Sequence, residues 1–305
     1  MGIYQIIQQL ESLRKKRRTC MAIPIVFFVG MMIIPMLFAP VAGEGGLGAA
    51  MPQLVTIGMI VGLIFATSVN SRLTKQYKAL YKETFVRGVL SEIFQNVDYR
   101  YDMGFTQEQV RSFGLNQLGN RFYTEDYLRG TFMGVPFEQA DVKIQYHTQS
   151  GKSSHTTTYF EGRMFILPFP VKKVFSVQIF SSNFRYRQNN PGGFKLQKID
   201  LESEAFNRAF DVKAVQPHDA FYVLTPQMME KITGLCNYYG NIALHFCGDY
   251  LFVAINSNMN AFDGDIRRPI DYQAERQQAM RDTQVIRDLI MVLQAQQKME
   301  NATGR

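Results

Sequence analysis

The residues that could do chemistry in this chain are a few histidines, cysteines and carboxylates. His245 and Cys247 alternate, so on a strand they would share a face; with Cys236 and His218 they make up a four-ligand zinc set by type. Zinc sites present ligands in tightly spaced pairs, and only one such pair exists here. Cys236 and Cys247 read more simply as small buried hydrophobes. His218 beside Asp219 offers a base and an orienting carboxylate. Adjacent residues of an extended segment point apart, however, so the pair reads as a solvated turn. Glu202 and Glu204 flank Ser203; with Arg163 or Arg208 nearby they suit a structural ion pair or a helix N-terminal charge. No serine sits in a Gly-x-Ser-x-Gly elbow.

Three further patterns imitate ligand sites. Gly43, Gly45 and Gly48 match the dinucleotide fingerprint by spacing, but that motif works only between a strand and a helix of a βαβ unit. Gly151, Lys152 and Ser153 are half a phosphate loop; Tyr146 stands where its first glycine belongs. Phe180, Phe184, Arg185, Tyr186 and Arg187 interleave rings and cations as single-stranded nucleic-acid grooves do. With no wider basic face beside them, a strand end near anionic headgroups is the plainer account, and no nucleic acid is expected. The sequence implies no cofactor.

The elements that must position these residues are of two kinds. Residues 19–43 carry no charge, and neither do residues 45–71; Glu44 alone separates them. Each stretch exceeds the roughly 20 apolar residues an α-helix needs to cross a bilayer. The short linker between them predicts a transmembrane hairpin with both ends on one side. Arg14, Lys15, Lys16, Arg17 and Arg18 precede it, and Arg72, Lys75, Lys78 and Lys82 follow it, which places both flanks in the cytoplasm. Residues 1–44 hold +3 of the formal +7, so the basic balance reflects topology and attraction to anionic headgroups. A polar lead of 18 residues and an immediate second span argue against a cleaved signal peptide. Gly58, Gly62 and Ala66 recur every four residues, a spacing that lets helix backbones approach closely; the first span is the expected partner. Ile3, Ile6, Ile7, Leu10 and Leu13 stripe a short amphipathic helix, suited to the headgroup layer or to packing on the domain that follows.

Beyond the spans the pattern is mixed. Leu73, Tyr77, Leu80, Tyr81, Phe85, Val89 and Ile93 form one helical stripe, with Lys75, Lys78, Lys82 and Glu83 off it. Residues 142–146 alternate, a polar turn follows at 149–154, and 156–167 returns as a strand. Residues 174–180 are another strand, 189–193 a turn and 195–201 an extended run. A short helix at 204–210 and a strand at 221–224 precede a helix that Thr225 caps, Pro226 starts and Tyr239 ends. Residues 242–246 and 250–255 pair as a hairpin. From 269 a long polar helix runs toward 299, with Val285, Leu289 and Val292 on one seam.

Several ordered blocks resemble a bacterial family known only as a domain of unknown function. They are residues 125–130 with 134–138, 160–163, 201–212, 220–226, and Met229 with Glu230. The resemblance spans about residues 75–256. It implies a membrane hairpin followed by a soluble domain, and it brings no activity. The expectation is an α+β fold: an N-terminal two-helix transmembrane hairpin, then a cytosolic domain with a mainly antiparallel sheet and flanking helices. The parts are a basic amphipathic helix (1–18), two spans (19–43 and 45–71), a cytosolic domain with its leading helix (72–265) and a C-terminal polar helix (266–305). Function is expected to be non-enzymatic, a bacterial inner-membrane module that binds a protein, peptide or small ligand, or self-associates through the C-terminal helix. The alternative is a membrane-tethered enzyme, such as a hydrolase, that gathers Glu161, Arg163, Glu202, His218 or His245 into one pocket.

Overall fold

Alternating and continuously apolar runs predict strands, and the computed structural model places nine of them in one sheet. It describes residues 2–38, 47–169, 175–188, 193, 195–258 and 261–303. The hairpin linker, most of the triple-glycine pattern and the turn at 189–192 lie outside the described residues. Two compact units form: Met1–Val86 with Asp263–Glu275, and Arg87–Phe262 with Arg276–Arg305.

The first unit is helical. α1 (Ile3–Phe38) and α2 (Leu47–Leu80) pack on each other, and Arg17 Nε donates to Asn70 Oδ1 at 2.6 Å. The amphipathic start and the first apolar stretch are thus one continuous helix. Ile6 and Leu10 are buried within the protein. α2 continues into a π-helical turn, Tyr81–Val86. That turn widens the buried stripe to include Lys82 and Val86, so Lys82, expected off the stripe, has no exposed surface. Its ammonium lies 2.8 Å from Asp263, which also pairs with Lys78 at 3.3 Å. Tyr77, Tyr81 and Phe85 stack in series, Tyr272 meets Phe85 edge-on, and Tyr81 donates to Glu275 at 2.5 Å. Gly264 lies so close over the Tyr81 ring that a Cβ would sit 2.9 Å from it.

The second unit holds the sheet. Its strands are β1 (Gln95–Arg100), β2 (Arg121–Phe132), β3 (Val135–Ser150), β4 (Ser153–Pro168), β5 (Val177–Ser181), β6 (Gln197–Lys198), β7 (Phe210–Ala214), β8 (Ile242–Cys247) and β9 (Tyr250–Ile255). All pairings are antiparallel, in the order β1-β2-β3-β4-β9-β8-β5-β7-β6. Cross-strand partners share a face. On one face Ala140, Val142, Met164, Ala254 and Ala243 meet Phe105, Val110, Phe113 and Leu115. α3 (Arg87–Ile93) leads into β1, and these last residues come from α4 (Gln107–Ser112) and its flanks, fixed by a capping box between Thr106 and Gln109. On the other face lie Phe165, Leu167, Val253, Leu251, Leu244 and Phe246, all buried. There α5 (Glu204–Ala209) packs on β7, and α6 (Pro217–Val223) on β5 and β7. α7 (Pro226–Tyr239) packs on α5 and on α9 (Gln284–Thr303). Burial on both faces explains why β8 reads as a nearly continuous apolar run; β5 keeps the expected alternation of Val177, Gln178 and Ile179 although it too is buried throughout.

Four further expectations change. Residues 221–224 end a helix, not a strand: Pro217 fixes the first turn of α6, while its N-cap Gln216 makes no side-chain cap bond. The extended run at 195–201 pairs only over β6, and residue 210, taken as a helix end, begins β7. The C-terminal helix is two, α8 (Tyr272–Asp282) and α9, parted at Thr283. The α9 seam is Val285, Ile286, Leu289, Ile290 and Leu293, buried within the chain's own fold; Val292 is only half-buried.

Candidate functional site

The residues singled out by type are dispersed. His245 is buried; its Nε2 lies 2.8 Å from Ser176 Oγ and its Nδ1 2.7 Å from the Phe113 carbonyl. A carbonyl at Nδ1 calls for the N–H there, leaving Nε2 to accept from the serine. Burial pushes the imidazole down to about 4, a shift the Phe113 carbonyl partly offsets. Gln178 donates to Gly114 O at 2.6 Å, so both side chains pin the segment after α4 to the sheet. Ser176 and His245 therefore form an internal strut with no carboxylate behind the ring and no access for substrate.

His218 and Asp219 do meet, at 3.0 Å, because they lie on the first turn of α6 rather than on an extended segment. Asp219 is buried and accepts from Phe175 N, which makes it an anchor rather than part of a solvated turn. Glu161 pairs with Lys143 at 2.9 Å across β3 and β4, Ser203 caps α5, and Glu202 is exposed. Phe180 and Phe184 are buried, and Arg187 lies over the Phe180 ring while pairing with Asp211 at 2.6 Å, so these groups turn inward. Gly151 and Lys152 form the β3–β4 turn. Among the described residues, no group of three His, Cys, Asp or Glu side chains could hold a metal ion. Burial raises both the Cys236 and the Cys247 thiol, which keeps them protonated and poor nucleophiles. Along α2, Gly58, Gly62 and Ala66 are part-covered while their neighbours are exposed, yet a Cβ on Gly62 would meet nothing within 4 Å.

Of the five residues named for a tethered hydrolase, Arg163 lines a cleft. The cleft encloses about 570 Å³ within the sheet unit. Arg163 rises from β4; Tyr238 and Tyr239 come from the end of α7; Asn241, Asn256 and Ser257 flank β8 and β9; Gln278, Arg281 and Asp282 come from α8. Two local features open it. Gly162 lets β4 approach the end of β9 so closely that a Cβ would lie 2.0 Å from Ile255 O. The break at Thr283 frees the last carbonyls of α8, and Arg163 donates to that of Asp282. Next to the cleft, sharing Tyr238 and Tyr239, is a groove of about 360 Å³ between α7 and α9, floored by Leu235, Met291 and Val292. Tyr239 donates to Asp288 at 2.5 Å; burial and then this bond hold its proton on. The cleft escapes sequence reading because its parts lie far apart in the chain. Only the Arg163 block and the capped α7 hinted at it.

Residues 154–295 match a family model described as a protein of unknown function, DUF3137. These residues are thus a domain of unknown function that resembles DUF3137. The matched span begins within β4 and ends within α9, so it starts later and runs further than the blocks at 75–256 suggested. It contains every residue that lines the cleft. No curated protein matches the chain. A crystal structure of the mycobacterial trehalose monomycolate transport factor A, TtfA, is similar at 10% identity and a TM-score of 0.37, covering 68% of this chain and 93% of that one. That likeness is too slight to carry a fold or a function across to the DUF3137 domain.

Proposed function

We propose that the chain is a membrane-anchored binding module of the bacterial inner membrane, non-enzymatic, with its DUF3137 domain in the cytoplasm. In this reading residues 19–43 and 45–71 cross the bilayer as a hairpin. Lys15, Lys16, Arg18, Arg72 and Lys75, all exposed, then face anionic headgroups, beside Arg14 and Arg17, which are held by Glu11 and Asn70. The observation that carries it is on α2: Ile57, Ile60, Val61, Leu63, Ile64 and Phe65 are each more than half exposed. So continuous an apolar surface is costly in water and natural in lipid. Among the described residues one helix, Thr56–Ile93, is long and apolar enough to cross a membrane.

The cleft supports a binding role, because it gathers hydrogen-bonding groups from β4, α7, α8 and the flanks of β8 and β9. The partner is a protein, peptide or small ligand. Topology is tested with a cysteine placed at Lys152 in a chain whose Cys20, Cys236 and Cys247 are serine. A membrane-impermeant maleimide should label it only after the inner membrane is opened; labelling in intact spheroplasts would overturn the cytoplasmic placement. Crosslinked capture of the tagged chain from native membranes should return a stoichiometric partner or bound molecule. Turnover of a captured substrate would instead make it an enzyme.

A further inference from the structure

We infer that the cleft beside Arg163 is an oxyanion site, taking the phosphate or carboxylate of a small organic molecule; this rests on the reading of the chain as a binding module. Each buried polar group must find a partner, and a donor left over at a cleft is one a ligand can take. The acceptors around the cleft are spent internally. Asn256 Oδ1 accepts from Glu161 N, and Asn241 Oδ1 from the Ser181 hydroxyl, whose own oxygen is taken by Ile242 N. Asp282 Oδ2 accepts from Phe262 N and Oδ1 from Gln278. Gln278 Oε1 in turn accepts from Arg281 Nε and Nη2.

What remains is a set of donors. Both asparagines keep their amide N–H groups, Arg281 keeps Nη1, and Arg163 spends one edge on the Asp282 carbonyl while the rest of its fork stays free. Two guanidinium groups against one carboxylate leave the lining positive. A planar fork held by one edge is pre-set for bidentate recognition of an oxyanion. A volume of about 570 Å³ lies within the roughly 300–1,000 Å³ of small-molecule sites and exceeds the needs of a bare ion. Ile255, Val285 and the exposed Tyr238 ring offer the apolar contacts for the rest of the molecule.

The test is calorimetric titration of the full chain in phosphatidylcholine nanodiscs with phenyl phosphate, and with benzyl alcohol as the uncharged control. Phenyl phosphate should bind and benzyl alcohol should not. Arg281 is exposed, so Arg281→Ala should keep the unfolding midpoint and weaken binding by about tenfold, as loss of a charge-assisted contact does. Arg163→Lys keeps the charge, loses the fork and should weaken binding too, while Lys198→Ala on β6 should change nothing. Adding phosphatidic acid to the nanodisc separates two sources of the same chemistry. Competition assigns a lipid headgroup, undiminished binding a free ligand, and either result supports the site. Absence of phenyl phosphate binding, or equal binding in both arginine variants, overturns it. If partner capture from membranes persists in that case, only the oxyanion site has failed. Release of phenol from the probe would instead refute the binding-module reading itself.

Discussion

The two units treat similar side chains in opposite ways. On α2 Ile57, Ile60, Val61, Leu63, Ile64 and Phe65 stand exposed, whereas on α9 Val285, Ile286, Leu289, Ile290 and Leu293 are buried. The first stretch is apolar on successive turns and the second along one stripe; on the proposed reading lipid covers the first, while the chain's own fold, α7 included, covers the second. Buried ionisable groups differ as well. The helical unit buries Lys82 and pairs it with Asp263; the sheet unit buries His245 between a hydroxyl and a carbonyl, as a neutral ring. The first solution keeps a charge and needs its counter-charge, and the second avoids the charge.

The sharpest way to break the contrast is to place the same charge on each helix. Leu289→Asp puts an unpaired carboxylate where Leu289 is 2% exposed. It should cost about 3–5 kcal/mol and unfold the sheet unit, read as lost trypsin resistance of the DUF3137 domain. Ile60→Asp should leave that resistance intact and instead oppose membrane insertion by about 3 kcal/mol, read as release of the chain by alkaline carbonate. If Ile60→Asp unfolded the domain and left the chain membrane-bound, α2 would be a core helix and the lipid reading would fail.

Acid separates the units next. The His245 ring titrates at about 4 when folded, against 6.5 as its ordinary value. Its folded form resists protonation, so stability falls as pH drops from 6.5 toward 4 and the loss is then complete, on the order of 3 kcal/mol. Asp263 behaves differently. Burial raises its carboxyl, but Lys82 and then Lys78 together pull it below its ordinary 3.8. Its contribution is present above that value and lost only as pH falls further. The guanidinium midpoint of the sheet unit should therefore fall as pH drops from 6.5 to 4, and His245→Gln should flatten that slope. The Lys82–Asp263 pair should persist through the same window.

How legible these features were depended on their range. The β3–β4 and β8–β9 hairpins, the capped α7 and the two uncharged stretches showed in the sequence because each signal lies within a few residues. The burial of Lys82 did not, because a π-helical turn shifts the stripe without any marker residue. The cleft was invisible for a different reason: Arg163, Asn256 and Arg281 meet through strand register and a helix break, neither of which spacing encodes. α4 is an instructive miss, since Thr106 and Gln109 form a capping box that a scan for short-helix starts would have found.

The smallest effect is expected at two helix starts that look alike in sequence. Gln216-Pro217 and Thr225-Pro226 both place proline on the first turn. Thr225 accepts from Met228 N, while Gln216 makes no side-chain cap bond, which is why α7 was readable and α6, with its β-like Phe221, Tyr222 and Val223, was not. Thr225→Ala should destabilise the sheet unit by about 1 kcal/mol, and Gln216→Ser should stabilise it by a similar or smaller amount, about 0.5–1 kcal/mol. Both are read as shifts in the guanidinium midpoint at pH 7.5, where His245 is neutral in both folded and unfolded chains. Opposite signs at the two sites would show that capping alone separates the two helices. A loss at Gln216 would mean that its side chain holds α6 by some contact other than a cap.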